Sequence, residues 1–370
     1  MLTETEFAAW LRLLEAPGLG RSKLRRLLAA CGSPEAVLAA APATLRSLAG
    51  AAAAQALATP PPHFAERLAA AQAWRSASDR HHVLTLDDAA WPAALLQTAD
   101  PPLLLYVRGD PAALSRPSIA IVGSRQATAQ GRDNARAFAQ ALGAQGYLVV
   151  SGLAQGIDAA AHEGALAGAA GSIAVVGTGL DRNYPPRHAD LASHIAAHGA
   201  VVSEYAPGAP PLPEHFPQRN RIIAGLTLGT LVVEAALRSG SLITARLASE
   251  AGREVFAIPG SIHAPQYKGC HTLLKQGAKL VECAEDILEE LLGPALPRPA
   301  ALPPAAADVD DAETADPLLA ALGPDPVTLD ALQARTGWPT AELLAKLLDF
   351  ELAGQVARLP GGLYQRRYAG

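Results

Sequence analysis

Short apolar segments that recur between helical patterns constrain the fold of this chain more than any other feature. From residue 118 to about residue 292 these segments are almost entirely apolar, as in strands buried on both faces of a parallel sheet. The predicted strands are 118–122, 147–150, 173–176, 200–203, 229–233, 255–258 and 279–281. Helical patterns at 128–142, 158–167, 188–197 and 242–251 lie between them. The predicted fold class is therefore α/β, with a Rossmann-like, doubly wound and mostly parallel sheet.

Small and cationic residues follow the first two predicted strands. Gly123, Ser124 and Arg125 come directly after residues 118–122, and Gly152 and Gly156 follow the next strand. Ligands of open α/β sheets sit beyond the carboxyl ends of the strands, where backbone N–H groups and a guanidinium fork can meet a phosphate. We therefore predict a phosphate-backbone site here. The alternative for Arg125 is an ion pair with a carboxylate that stabilises the loop.

Three further segments carry groups suited to the same chemistry. Tyr184 and Arg187 pair an aromatic ring with a cation, as single strands require, although a proline-rich loop anchored by a buried tyrosine fits equally well. Arg219, Asn220 and Arg221 are placed in a loop at the start of a helix, where charge and helix dipole would add. Ser239, Gly240 and Ser241 open another helix, as an anion cradle or simply as an N-cap.

No convincing catalytic set accompanies these residues. The chain has neither a G-x-G-x-x-G fingerprint nor a P-loop, and no serine lies in a G-x-S-x-G elbow. Asp158 is predicted to cap the helix that it begins, and His162 to be a structural partner. We therefore expect a binding protein that is not an enzyme and needs no cofactor or metal.

The flanking regions are organised differently. Residues 1–78 read as short helices, interrupted by an alanine-rich stretch, with P-G-L-G at 17–20 before Lys23, Arg25 and Arg26. That turn either points N–H groups at DNA, as in a helix-hairpin-helix module, or merely closes a helical turn. We assign 79–293 to the extended Rossmann-like domain and the proline-, alanine- and aspartate-rich segment 294–316 to a flexible linker. Residues 317–370 have a winged-helix pattern with Gly361 and Gly362 at a hairpin tip.

Composition restricts the partners and the compartment. The net charge is −5, so a polyanion site must be a local patch. Only five of the 30 basic residues are lysines, which suits bidentate phosphate contacts but is also what codon bias produces. Three widely spaced cysteines fit buried, reduced thiols, and no apolar run is long enough to span a bilayer. The predicted location is the cytoplasm, with no membrane partner.

Seven sequence blocks stand in order between about 120 and 283. They are I-V-G-S-R, S-G-L-A-x-G-I-D, G-x-G-L-D-x-x-Y-P, F-P-x-R-N-R-I-I-A-G-L, S-G-S-L-I-T-A, G-R-x-V-F-A-I-P-G and G-C-H-x-L-L-K-Q-G-A. Together they resemble the DprA/Smf family of DNA-processing proteins. The resemblance implies single-stranded DNA binding, homodimerisation and loading of the RecA recombinase during natural transformation, with single-strand-binding protein as a further partner. It also implies a helical, sterile-alpha-motif-like N-terminal domain.

By motif match, the resemblance assigns DNA contacts to Gly123, Ser124 and Arg125, to Arg187, and to Arg219–Arg221. Family members usually have a lysine near the Tyr-Pro segment, and here Arg187 is the nearest cation. A rival comes from another class, the Rossmann-like phosphoribohydrolases, which cleave the glycosidic bond of nucleotides. Their P-G-G-x-G-T-x-x-E motif survives only as 229–234, with one extra residue before Glu234 and no preceding Pro-Gly-Gly. Glu234 is then predicted to be structural.

Overall fold

The computed structural model describes residues 2–292, 316–322 and 326–367 of the chain. All but the last residue of the predicted linker 294–316 lies outside this range. Within the described residues, no helix combines the length and apolar character needed to cross a membrane.

The N-terminal region is helical, as the apolar spacing predicts. Its helices are α1 (Glu4–Leu14), α2 (Arg21–Cys31), α3 (Pro34–Ala39), α4 (Pro42–Ala49), α5 (Ala51–Ala58) and α6 (Phe64–Ser76). The alanine-rich stretch forms α5 rather than interrupting the helices, because alanine has the highest helix propensity. Ala53 and Leu57 bury the inner face of α5 although it lacks a clear apolar period.

The P-G-L-G turn packs within the protein. Gly18 has a φ of +72°, Leu19 is buried, and Gly20 is the N-cap of α2. Two basic residues that follow bind the Asp100 carboxylate, Arg21 at 2.7 Å and Arg25 at 2.8 Å. Arg21 and Arg25, which follow the turn, thus hold the N-terminal helices against the rest of the chain.

A nine-stranded sheet forms the centre of the described molecule. Its strands are β1 (His81–Thr85), β2 (Leu104–Gly109), β3 (Ser118–Val122), β4 (Leu148–Ser151), β5 (Ser172–Val175), β6 (Ala200–Ser203), β7 (Gly229–Val232), β8 (Glu254–Ala257) and β9 (Lys279–Leu280). The spatial order is β1-β2-β6-β5-β4-β3-β7-β8-β9. Along this order, every neighbouring pair of strands between β6 and β9 is parallel. The predicted doubly wound fold is confirmed.

Strands β1 and β2 extend the sheet as an antiparallel edge beside β6. They also join it to the N-terminal helices, since Phe7 of α1 and Trp74 of α6 both meet the ring of Tyr106 edge-on, with centroids 6.4 and 5.8 Å away. The apolar core is therefore continuous across the boundary assigned at residue 78.

The order in which the chain adds strands to the sheet reverses at β3. From β3 the chain passes through β4, β5 and β6 on one side, then returns to form β7, β8 and β9 on the other. Such a reversal opens a crevice between the carboxyl ends of the two central strands, here β3 and β7. The segments that follow these two strands therefore lie side by side.

Helices cover both faces of the sheet. They are α7 (Ala93–Leu96), α8 (Ala129–Ala144), α9 (Ile157–Ala167), α10 (Ala189–His198), α11 (His215–Leu226), α12 (Ser241–Glu250), α13 (Lys268–Lys275) and α14 (Ala284–Leu292). Ile119 and Ile121 of β3 pack on α8, α9 and α14, whereas Ala120 and Val122 face α11, α12 and α13. Short 3-10 turns occupy Pro111–Ser115, Pro186–His188 and Pro265–Tyr267.

The C-terminal region is the predicted winged helix. It contains α15 (Pro317–Leu322), β10 (Val327–Thr328), α16 (Leu329–Thr336), α17 (Thr340–Leu352), β11 (Val356–Leu359) and β12 (Leu363–Arg366), with strand order β10-β12-β11. Gly361 and Gly362 form the hairpin tip with φ of +85° and +73°, a conformation that favours glycine. Arg367 binds Asp133 of α8 at 2.6 Å and so connects this region to the main sheet.

The cysteines are free, but only one fits the predicted environment. Cys270 is buried, whereas Cys31 is half-buried and Cys283 is exposed. The prediction of three buried thiols therefore holds for Cys270, is met only in part by the half-buried Cys31, and is wrong for Cys283, which lies just before α14 and outside the core.

Candidate nucleic-acid interface at the strand ends

A cleft of about 830 Å³ opens at the crevice between β3 and β7, and we call it the switch-point cleft. It brings together residues that follow β3 and β7, residues of α11, and Tyr184 of the loop that contains Tyr184 and Pro185, the Tyr-Pro loop. The predicted site residues that line it are Gly123, Ser124, Arg125, Tyr184, Arg219, Asn220, Ser239, Gly240 and Ser241. Gly152 and Arg187 line an adjoining pocket of about 170 Å³.

Close packing fixes the loop after β3. A Cβ at Gly123 would collide with Ile157 and with the Glu234 carbonyl oxygen, and one at Gly156 would collide with the Ser124 carbonyl oxygen. Gly156 also has a φ of +85°, which disfavours other residues. The Ser124 carbonyl oxygen accepts a hydrogen bond from the Ile157 N–H at 3.1 Å, and Ser124 Oγ accepts one from the Gln126 N–H at 3.1 Å. Arg125 is held at the apex of this rigid turn.

Arg125 and two aromatic rings form one row at the cleft. The Arg125 guanidinium lies 5.6 Å from the ring centroid of the half-buried Phe216, and the centroid of the Tyr184 ring lies 5.5 Å from that of Phe216. Tyr184 is 41% exposed, so it is not a buried anchor. Arg125 is exposed and, among the described residues, has no ion-pair partner, so its alternative interpretation as a loop-stabilising ion pair is not supported. A cation beside open aromatic faces can hold both a phosphate and a stacked base.

Arg219 has a different environment from Arg125. It is 5% exposed and donates hydrogen bonds to the carbonyl oxygens of Gly152, at 2.7 Å, and of Val175. Burial lowers its pKa to about 10, partly opposed by the Asp158 carboxylate, so it stays charged at neutral pH. Arg219 therefore ties the ends of β4 and β5 together beneath the cleft.

The segment that carries Arg219 also differs from the prediction. Residues 219–221 lie in the second turn of α11, which begins at His215, rather than in a loop at a helix start. The predicted gain from the helix dipole is therefore wrong. Pro217 is compatible with helix because it occupies the first turn, where no intrahelical N–H is required.

Asp158 organises the turn after β4. Its Oδ2 accepts hydrogen bonds from the N–H groups of Gly152 at 3.1 Å and Ala154 at 3.4 Å. Burial raises the pKa of Asp158, and the charge of Arg219 opposes that shift. The predicted helix cap is therefore wrong, because the carboxylate serves the preceding turn instead of α9.

His162 lies in the interior behind this turn. Its Nδ1 is 2.7 Å from Ser172 Oγ, which in turn donates to the Val149 carbonyl oxygen. Burial lowers the pKa of His162 to about 3, so the ring is neutral. This is the structural role that the sequence predicts.

Arg221 is held by acidic residues on the far side of α11. It is 8% exposed, binds the Glu204 carboxylate, and lies 3.4 Å from Asp100. Asp100 is the same carboxylate that binds Arg21 and Arg25 of α2. Arg221 thus links α11 to the N-terminal helices.

The opposite wall of the switch-point cleft is polar and open. Asn220 donates through Nδ2 to the Gly240 carbonyl oxygen at 3.4 Å, which joins α11 to the start of α12. Ser239 Oγ and Ser241 Oγ lie 2.6 Å apart, and Gly240 is the N-cap of α12. A Cβ at Gly240 would meet nothing within 4 Å, so this end of the cleft has free space.

Glu234 is buried below the cleft, with no exposed surface. Its carboxylate accepts hydrogen bonds from the Thr128 N–H at 3.1 Å and from Thr128 Oγ1 at 2.5 Å, at the start of α8. Burial raises its pKa, and the Thr128 hydrogen bonds oppose that shift. Its hydrogen bonds therefore serve the fold, as the sequence analysis predicts.

Three residues in or beside the switch-point cleft were not singled out from the sequence. Phe216 supplies the ring between Arg125 and Tyr184, Arg238 lines the wall after β7, and Arg132 lies on the first turn of α8 near the Arg125 loop. Phe216 stands inside the F-P-x-R-N-R block, so its position was available. Arg132 and Arg238 belong to no motif that distinguishes them from other surface arginines.

Comparisons with known proteins show the family of the chain. Residues 82–292 match the family model described as DNA recombination-mediator protein A, and residues 300–362 match that of the DprA winged helix domain. The chain is 45% identical to Protein Smf of Escherichia coli over 293 residues, which is 78% of each chain.

Two solved structures show the same fold. DNA processing protein A from Streptococcus pneumoniae is 36% identical with a TM-score of 0.67, over 76% of this chain and 97% of that one. The Helicobacter pylori DNA processing protein A, whose structure addresses its single-stranded DNA binding mode, is 31% identical with a TM-score of 0.52, over 57% of this chain and 96% of that one. With its main domain and winged helix both matched, the chain belongs to the DprA/Smf family of DNA recombination mediators.

Proposed function

We propose that this chain binds single-stranded DNA in the switch-point cleft. The observation that carries this proposal is the row formed by Arg125, Phe216 and Tyr184, in which an exposed guanidinium contacts a half-buried ring that in turn contacts an exposed one. Bases of a single strand can stack on such rings while the cation contacts the backbone. The single-stranded DNA binding mode of the Helicobacter pylori relative supports the same ligand class.

Duplex binding by the winged helix is less well supported. A DNA-reading helix presents basic residues to the major groove. Helix α17 instead carries Lys346 among Glu342, Asp349 and Glu351, and Lys346 binds Asp316 at 2.8 Å. We therefore assign the winged helix mainly to protein contact.

The predicted site residues divide into two groups by their contacts. We propose that DNA contacts come from the exposed or half-buried residues Gly123, Ser124, Arg125, Tyr184, Arg187, Asn220, Ser239 and Gly240, and from Ser241, which is buried but lines the cleft. We propose that Gly152, Gly156, Arg219 and Arg221 shape the site, since both glycines fill tight backbone positions and both arginines are buried.

Fluorescence anisotropy of a labelled oligonucleotide, across a salt series, tests this proposal. We expect the wild type to bind single strands more tightly than duplex, and Arg125→Ala to lose about tenfold in affinity. The matched control is Arg116→Ala. Arg116 is an exposed arginine just before β3, and it therefore lies at the amino-terminal ends of the parallel strands, opposite the cleft. Equal binding by Arg125→Ala and Arg116→Ala would exclude the switch-point cleft as the site.

We further propose that the protein loads the RecA recombinase onto incoming single strands during natural transformation, in the cytoplasm. Membership of a family described as recombination mediators supports this role. Homodimerisation would place two clefts on one strand and raise avidity without new contacts. Single-strand-binding protein is a further proposed partner. Light scattering would measure the mass of the protein in solution and so test the dimer. RecA filament assembly on single strands coated with single-strand-binding protein would test loading.

A non-enzymatic role is part of the proposal. A phosphoribohydrolase would require an accessible acid near the nucleotide, and Glu234 instead binds Thr128 in the interior. We expect no base release from nucleoside monophosphates by the wild type. Turnover that Glu234→Gln abolished would favour the hydrolase instead.

A further inference from the structure

A second cleft of about 900 Å³ lies beside the switch-point cleft, on the other side of the Arg125 loop. Arg125, Gln126 and Gln155 line both clefts, so the apex of the loop forms a ridge between them. The far wall of this second cleft comes from the start of α8, the Arg187 turn, residues 263–266 and the winged-helix hairpin.

The charge of the second cleft is one-sided. Four arginines line it, Arg125, Arg132, Arg187 and Arg358, together with His188 and His263. Among the described residues, its lining includes neither aspartate nor glutamate. The chain as a whole has 35 acidic residues against 30 lysines and arginines. A cleft whose described lining holds four arginines and no carboxylate is therefore more positively charged than the average surface of this chain.

The acidic residue next to Arg132 in the sequence is engaged elsewhere. Asp133, next to Arg132 on α8, binds Arg136 at 3.1 Å and Arg367 at 2.6 Å.

Arg132 uses one guanidinium nitrogen to donate to the Ala127 carbonyl oxygen at 2.7 Å, which orients the side chain along the Arg125 loop. His188 Nδ1 lies 2.9 Å from the Leu153 carbonyl oxygen, which fixes its ring at the cleft margin.

We propose that a bound single strand crosses the Arg125 ridge and continues through the second cleft, where Arg132, Arg187 and Arg358 contact its phosphates. This inference rests on the proposed function, because it extends the same strand beyond the switch-point cleft. Arg125 then serves both clefts, and the affinity depends on strand length until both are filled. The winged helix contributes the hairpin arginine Arg358 to a backbone path, with no base reading by α17.

Oligo(dT) strands increasing from about 4 to about 20 nucleotides test the inference by anisotropy. Wild-type affinity is expected to rise with length until both clefts are filled. Arg132→Ala is expected to bind the shortest strands as the wild type does and the longest about five- to tenfold more weakly, with the log–log salt slope reduced by about 0.7. Arg358→Ala should show the same length dependence, which separates lost phosphate contact from disturbance of the Ala127 carbonyl contact. Arg116→Ala is the control.

The outcomes separate this inference from the proposed function. If Arg132→Ala and Arg358→Ala match the wild type at every length while Arg125→Ala is impaired, the strand ends in the switch-point cleft and the second cleft serves another anion. An equal loss on short and long strands would also overturn the inference, because the arginines would then act through the first site. If the wild type binds no strand of any length, both proposals fail.

Discussion

The guanidinium of Arg219 donates a hydrogen bond to the carbonyl oxygen of Gly152 at 2.7 Å, directly beneath the proposed binding surface. The same side chain reaches the Val175 carbonyl oxygen, so one buried cation joins the carboxyl ends of two adjacent strands. Backbone oxygens at the ends of parallel strands need partners, and here a side chain from α11 supplies them.

Arg219→Met is expected to destabilise the fold by about 3 kcal/mol or more, because it leaves two carbonyl oxygens and the buried Asp158 without their cation. Urea unfolding measures the change. Arg238→Met is the matched control, since Arg238 lines the same cleft but is exposed. Similar unfolding midpoints for the two variants would contradict the structural role of Arg219.

Gly152→Ala tests how tightly this contact is packed. An added methyl group would overlap the Arg219 guanidinium, and we expect a loss of about 1–3 kcal/mol together with weaker single-strand binding. Gly240→Ala is the control for stability within the same cleft, because its added methyl group meets nothing within 4 Å and its φ is −62°. The idea fails if both alanine variants unfold at the wild-type denaturant concentration.

The comparison of sequence and structure shows which inferences are local. The sheet was predictable because most of its strands are short, mainly apolar runs, and the bounds of the predicted strands and helices from 118 to 281 agree with the structure to within two residues. The position of Arg125 at the cleft was predictable because it belongs to the short loop that follows a strand end. Both depend only on neighbouring residues and on the general rule for open sheets.

The roles of Arg219 and Arg221 could not be read in this way. Both arginines stand in one motif with Asn220, yet both are buried by partners that lie far away in the sequence, Gly152 for one and Glu204 with Asp100 for the other. An arginine that binds a ligand and an arginine that stabilises the fold can have the same charge and the same position in a motif. Only their contacts in the folded protein distinguish the two roles.

Asp100→Asn should reveal a pH-dependent contact between the N-terminal helices and α11. Burial raises the pKa of Asp100, but the hydrogen bond from Arg25 and the charges of Arg21 and Arg221 outweigh it and hold the pKa below its ordinary value. The ionised form therefore stabilises the folded state above the ordinary carboxyl pKa of about 3.9, and this contribution is lost as the pH falls through the lowered value.

We expect Asp100→Asn to cost about 1 kcal/mol at neutral pH, since solvent screens a carboxylate that is 36% exposed. Denaturant unfolding at neutral pH and at about pH 3 provides the test. The difference between wild type and variant should shrink at the lower pH. A difference that stayed constant, or grew in acid, would mean that Asp100 does not act through its charge.

Tyr184→Ala and Arg187→Ala should weaken single-strand binding in different ways. Loss of the Tyr184 ring removes a stacking surface beside Phe216, so affinity should fall by about 1–3 kcal/mol at every salt concentration. Loss of Arg187 removes a phosphate contact, so the log–log salt slope should fall by about 0.7 and the deficit should shrink at high salt. Tyr184→Phe keeps the ring and is expected to bind as the wild type does. If Tyr184→Phe is as weak as Tyr184→Ala, the hydroxyl acts rather than the ring, and stacking at this position is excluded.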